Sequence, residues 1–199
     1  MPKNKPSGER PASDQIRKEL SRIETRSRFG SVMRNTLAVI LSVAAVAVLI
    51  ATFLLPVMRI YGNAMKPNVA EGEILVALKT KTLQQNDVIA FYCNNRILVR
   101  RVIASGGDVV NIDAFGLVDV NEQPLAQPYR IIEGAGTTDI EYPYRVPDGC
   151  WFVLGDNRMS SLDSRSTAVG CVSEDQLVGK VLFCVWPFGS ARMIAQSVF

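Results

Sequence analysis

The chain has 199 residues, 48% of them hydrophobic and 21% charged, enough for one packed domain plus a membrane segment, and this excludes a chain disordered throughout. Its 22 basic and 19 acidic residues leave a formal net charge of +3, too mild a basicity to imply a nucleic-acid partner. There is no histidine.

The charge is unevenly placed. Residues 1–34 hold nine Lys or Arg against four acids, a net of +5, so the whole-chain +3 leaves −2 for the rest. Residues 1–12, rich in Pro, Ser, Lys and Gly, are expected to be disordered. Residues 13–28 place Ile16, Leu20 and Ile23 at helical spacing, and read either as an amphipathic helix against anionic headgroups or as a solvated basic tail. Residues 35–58 contain no charge, and 37–55 are nearly all Ala, Val, Leu and Ile. At ~1.5 Å rise per residue that run crosses a ~30 Å hydrocarbon layer. It exceeds the ~7–15-residue core of a cleavable leader and follows a long polar segment, so it reads as an uncleaved anchor. Three parts are therefore expected: a cytoplasmic basic tail over 1–34, one transmembrane helix over 35–58 and an extracytoplasmic domain over 59–199. The positive flank sets that orientation in the plasma membrane.

Beyond residue 72 the periodicity changes. Segments 73–78, 87–92, 97–103, 109–112, 116–120, 144–146, 150–154 and 179–185 are rich in β-branched and aromatic residues. Turn chemistry such as Asn94-Asn95 and Gly106-Gly107-Asp108 separates them. Eight short strands at this spacing predict a mostly β domain, a closed or partly closed antiparallel barrel. Residues 125–142 lack a pattern and read as a long loop or an extra hairpin. Cys93, Cys150, Cys171 and Cys184 fit no metal or redox motif, and no metal or cofactor is expected. They read as small buried hydrophobes with free thiols, although disulfides are open to them outside the cytoplasm.

Three segments carry chemistry. The first is Tyr61-Gly62-Asn63-Ala64-Met65-Lys66-Pro67, the second runs from Leu98-Val99-Arg100-Arg101 to Gly106-Gly107-Asp108, and the third is Gly155-Asp156-Asn157-Arg158-Met159-Ser160-Ser161-Leu162-Asp163-Ser164-Arg165. Taken in order behind a membrane anchor, they resemble the bacterial type I signal peptidases, membrane-bound serine peptidases that use a Ser–Lys dyad. The first matches the family's small-x-Ser-Met-x-Pro turn through Gly62, Met65 and Pro67, with Ala64 where the nucleophilic serine stands. The second aligns Arg100 with the lysine base and Arg101 with the arginine beside it. The third matches Gly-Asp-Asn-Arg-x-x-Ser-x-Asp-Ser-Arg at every fixed position. The resemblance implies that Ser161 lies beside the base position, with Asp163 and Arg165 as a supporting ion pair. Gly155, Asp156, Asn157 and Arg158 read as scaffold.

An alanine methyl cannot attack a carbonyl, and a guanidinium stays charged where a base must be free to take a proton. The lack of histidine removes a Ser–His variant. Cys93 and Ser105 have no recognisable base, and Lys66 follows Ala64 too closely to serve as one. The expectation is an inactive signal peptidase homologue that binds an extended signal or pilin-type peptide and assists secretion or surface-protein assembly. Degenerate Gram-positive relatives extend this to sortase-linked pilus machinery. The alternatives are a genuine signal peptidase cutting after small-x-small motifs, disabled by Ser→Ala and Lys→Arg substitution, and a structural envelope protein.

Overall fold

The computed structural model describes residues 13–194, with side chains for 17, 30 and 32–194. The disorder expected of residues 1–12 and the apolar face of Ile16, Leu20 and Ile23 lie outside the described residues. Contacts divide the chain into residues 1–51 and 52–199.

The first unit is helical. Helix α1 (Ser13–Leu54) runs without interruption for 42 residues. Its stretch Val32–Leu54, 23 residues of mean hydropathy 2.8, is long and apolar enough to cross a membrane. The helix stops four residues before the expected boundary at 58. Pro56 cannot supply the next helical N–H and turns the chain to extended geometry. The carbonyls of Leu54 and Pro56 are instead taken by the N–H groups of Lys79 and Ala77 at 3.0 Å each.

The second unit is built from two antiparallel sheets. The larger contains β1 (Val57–Arg59), β2 (Ile74–Leu78), β3 (Val88–Cys93), β4 (Arg96–Ser105), β9 (Cys150–Leu154), β10 (Val172–Ser173), β11 (Leu177–Trp186) and β12 (Arg192–Met193). Its order is β1-β2-β11-β3-β4-β9-β10, with β12 also paired to β11. The smaller contains β5 (Val109–Ile112), β6 (Val118–Val120), β7 (Gln123–Pro124) and β8 (Tyr144–Arg145), ordered β7-β6-β5-β8. All eight expected strand segments form. The barrel does not: the large sheet is open, and its terminal strands β1 and β10 do not pair. The segments that a count along the sequence would add to a barrel wall pair among themselves and make the second sheet.

Turn residues fix the registers. Asn94 and Asn95 both take positive φ, 47° and 63°, and close a two-residue hairpin in which Cys93 faces Arg96. Asn121 and Glu122 do the same between β6 and β7. Among the described residues, 125–142 form no ladder, and one isolated bridge, Ile132 to Asn157, ties them down.

Strand β4 joins the layers. Its Val99 packs in a cluster with Met58, Met65, Val69 and Leu75, its Val102 with Ile89, Phe91 and Val153, and its Ile103 with Val110 and Phe152. Each such fully buried aliphatic or Phe side chain contributes about 1.5–3 kcal/mol. All four cysteines are free thiols, Cys93 and Cys184 buried and Cys150 and Cys171 half-buried.

Candidate active site

The first motif is a turn nailed into the core from one side. Gly62 supplies a φ of +84° that opens the turn, and Met65 and Val69 bury themselves in the cluster beneath β1. The N–H of Val69 donates to the Met65 carbonyl at 2.9 Å and that of Lys66 to the Asn63 carbonyl at 3.1 Å, so the segment coils for one turn. This leaves Ala64 at the surface of a cavity of about 70 Å³.

The same cavity is lined by Arg100. The structure therefore brings the first and second motifs together. The lining consists of residues 58–62, Ala64, Met65 and residues 97–100, and it includes no Ser, Thr, Cys, Lys, Asp or Glu. Arg100 is 6% exposed; it donates from Nε to the Leu162 carbonyl at 2.9 Å and from Nη1 to the Val99 carbonyl at 2.6 Å. Burial pushes its guanidinium below the ordinary arginine range, and Asp163 opposes that shift.

The third motif wraps behind this pair. The N–H of Asn157 donates to the Ala64 carbonyl at 2.9 Å. Asp163 and Arg165, both nearly inaccessible, form an ion pair with Nε to Oδ1 at 2.8 Å and Nη2 to Oδ2 at 2.9 Å. Asp163 Oδ2 also accepts from the Gly155 N–H at 3.0 Å and from the Ser161 hydroxyl. Arg165 adds bonds to Ser161 Oγ at 3.0 Å and to the carbonyls of Arg158 at 2.8 Å and Ala135 at 2.7 Å. So Ser161 faces the Asp163–Arg165 pair, while its neighbour Leu162 supplies the carbonyl that holds Arg100. A buried pair with its lone pairs and protons this fully used avoids most of the cost of desolvation.

Arg101 points away from Arg100, as adjacent strand residues must. It grips Asp156 bidentately, at 2.8 and 2.6 Å, and lies 3.8 Å over the Tyr129 ring. Asn68 donates to the same carboxylate at 2.7 Å. Arg158 donates from Nε to the Gly155 carbonyl at 3.0 Å and from Nη2 to Gln127 Oε1 at 2.7 Å. Its guanidinium, too, is pushed below its usual range by burial. Asn68, Gln127 and Tyr129 carry no motif, and only their polarity near the three motifs could have flagged them.

Cys93 and Ser105 are not among the cavity residues. Cys93 Sγ lies 3.7 Å from the Ala168 carbonyl, and the Ser105 N–H donates to Asp108 Oδ2 at 2.8 Å. Among the described residues no group of three or more Cys, Asp or Glu side chains is placed to hold a metal ion.

A sequence model of the family "Signal peptidase, peptidase S26" matches residues 33–186. The chain is 36% identical over 143 residues to signal peptidase I of Bacillus caldolyticus, covering 64% of this chain and 77% of that one. It is 30% identical over 180 residues to signal peptidase I of Bacillus amyloliquefaciens, covering 85% and 96%. A signal peptidase I crystal structure from Enterococcus faecalis aligns at 26% identity and a TM-score of 0.41, covering 50% of this chain and 96% of that one. With the family's pattern spanning both sheets and the apolar helix, this chain belongs to the signal peptidase family, peptidase S26.

Proposed function

We propose that this family member is a membrane-anchored peptide-binding protein that has lost the cutting step. The observation that carries the reading is the cavity shared by Ala64 and Arg100, which holds no hydroxyl or thiol nucleophile beyond the exposed phenol of Tyr61 and no side chain able to act as a base.

Peptide binding is supported by what flanks the cavity. On one side runs β1, the terminal strand of the large sheet. On the other runs the first half of β4, where residues 97–100 pair with β3 only, because β9 joins β4 from Arg101 onward. The Val102 N–H and carbonyl bond Asp87 and Asn86 on the β3 side, so alternation turns the polar groups of Ile97 and Val99 to the open side, where the Val99 carbonyl already accepts from Arg100 Nη1. Two free edges beside one cavity suit an extended chain that adds as a strand.

The partner proposed is the signal segment or pilin-type segment of an exported protein. The relatives named above are signal peptidases, and the apolar helix fits a membrane-anchored chain. A role in pilus or surface-protein assembly beside sortase rests on the likeness to degenerate Gram-positive members. The charge asymmetry favours a cytoplasmic N-terminus and an extracytoplasmic β domain.

The test uses the full chain in lipid nanodiscs with a preprotein carrying an Ala-x-Ala site. The preprotein should bind and stay uncut, with a photo-crosslinker in its signal segment labelling residues 58–62 or 97–100. Mature product at the turnover of an ordinary signal peptidase would refute the reading.

A further inference from the structure

We infer that the cavity between Ala64 and Arg100 takes the carboxylate of an extended peptide, with Arg100 Nη2 as its donor and Arg59 adding positive charge. This rests on the peptide-binding reading above and names what in the peptide is recognised.

Arg100 is a buried cation with unused capacity. A guanidinium carries five N–H donors. The two bonds it makes, to the carbonyls of Leu162 and Val99, use Nε and one N–H of Nη1, and Nη2 has no partner among the described residues. The acid that most favours its charge, Asp163, is already engaged by Arg165, the Gly155 N–H and the Ser161 hydroxyl. Its neighbours in the fold are treated differently: Arg101 is matched to Asp156 and Arg165 to Asp163. Among the buried arginines of these motifs, Arg100 and Arg158 lack an ion-pair carboxylate among the described residues, and of the two only Arg100 lines the cavity.

The cavity's own composition agrees. Its charged lining residues are Arg59 and Arg100, with no acid beside them. Met58, Ile60, Ile97, Leu98 and Val99 also line it, so an anion entering there sheds part of its water and gains from the guanidinium. The space, about 70 Å³, exceeds the ~10–15 Å³ that admits one water, and it is open to solvent. That suits a planar carboxylate whose oxygens lie in the plane of the guanidinium fork. The strand edges on either side can be extended by a peptide that pairs as a strand, which a lipid cannot do.

The carboxylate has two possible sources, the chain end of a peptide already released by another peptidase and an Asp or Glu side chain. Three labelled decapeptides separate them: one ending Ala-x-Ala as the free acid, its C-terminal amide, and the amide with an internal Asp. Binding is read by fluorescence anisotropy to the full chain in neutral phosphatidylcholine nanodiscs. The free acid or the Asp peptide should bind at least tenfold tighter than the plain amide, and Arg100→Met should remove the difference. Whichever gains identifies the source. The comparison within the wild-type chain stands even if the variant fails to fold. Three equal affinities would overturn the carboxylate site while leaving peptide binding intact. No binding by any peptide would overturn both. Phosphatidylglycerol vesicles that compete in an Arg100-dependent way would assign the cavity to a lipid headgroup and overturn the proposal.

Discussion

The backbone N–H of Asn157 donates to the carbonyl of Ala64 at 2.9 Å, although the two residues lie 93 positions apart in the chain. Through this bond the third motif positions the first by main-chain geometry, which any side chain at position 64 would leave in place. The close fit depends on Gly155. A Cβ there would stand 2.6 Å from the Ala64 carbonyl oxygen and 2.3 Å from Ser161 Cβ.

Gly155→Ala should therefore be destabilising by about 1–3 kcal/mol, the usual cost of forcing one more carbon into a packed site. Backbone, which cannot swing aside, supplies one of the two clashes. Thermal denaturation of residues 52–199 within the full chain would measure it. An unchanged midpoint would show that the Ala64 and Asn157 segments are not held as closely as the geometry requires.

Asp163→Asn should cost more, about 3–5 kcal/mol, because it leaves Arg165 buried without its counter-charge. Arg165→Met paired with Asp163→Leu should recover part of that loss, since removing both charges is cheaper than removing one. Chemical denaturation of the single and double variants checks both. A single variant as stable as the parent would mean that the pair contributes nothing to the fold.

Alkaline stability should report on Tyr129. Burial pushes its phenol up to about 12, with Arg101 and Arg158 opposing, against an ordinary value near 10. The folded state keeps the proton longer than the unfolded chain. The stability this gives is intact below pH ~10 and is lost as pH rises from there through about 12. Tyr129→Phe should flatten the decline in that window by on the order of 2 kcal/mol at most. Tyr144, raised to about 12 mainly by its bond with Cys171, leaves a residual slope. A Tyr129→Phe profile that overlays the parent between pH 10 and 12 would discount the buried phenol.

Orientation is tested by a reporter fused after Phe199. It should be active only outside the cytoplasm, because the +5 of residues 1–34 resists translocation while the remainder carries −2. Protease added to spheroplasts should remove the β domain. A protected C-terminus would reverse the topology.

What the sequence made legible were features set by neighbours along the chain. The β-branched and aromatic runs of β3 and β4, the Asn94-Asn95 hairpin and the fixed positions of the third motif are local, and the two strands and their turn are found where the residues place them. The division into two sheets was not legible, because pairing β5 with β8 rather than with the large sheet reaches across the pattern-free stretch 125–142. That loop is also why Tyr129 and Gln127 were missed: they reach Arg101 and Arg158 through the Ile132–Asn157 bridge, and no periodicity announces it. The end of α1 at Leu54 has a simpler cause. Hydropathy continues through Val57 and Met58, but Met58 is apolar because it lies in the core beneath β1.

Restoring the two dyad residues separates a site that has drifted from one that has merely been switched off. Ala64→Ser alone should stay inactive, since its hydroxyl would face a cation and no base. Arg100→Lys alone should fail too, with a methyl where the nucleophile belongs. In the double change, a lysine at 100 would enter a niche shaped by a guanidinium that donates to the Leu162 and Val99 carbonyls. Those acceptors would favour the ammonium form, whereas a base must be neutral, and burial would push the other way. If the two replacements arose in nature, nothing has kept the lysine nitrogen within hydrogen-bond reach of the serine, and a misplacement of about 1 Å costs on the order of 100-fold. The double variant should then cleave an Ala-x-Ala preprotein at about a hundredth of an ordinary signal peptidase's rate or less. Recovery to the ordinary rate would mean that the rest of the site is unaltered and that Ala64 and Arg100 are a knock-out of a working enzyme. Activity in either single variant would place the nucleophile or the base at a different residue.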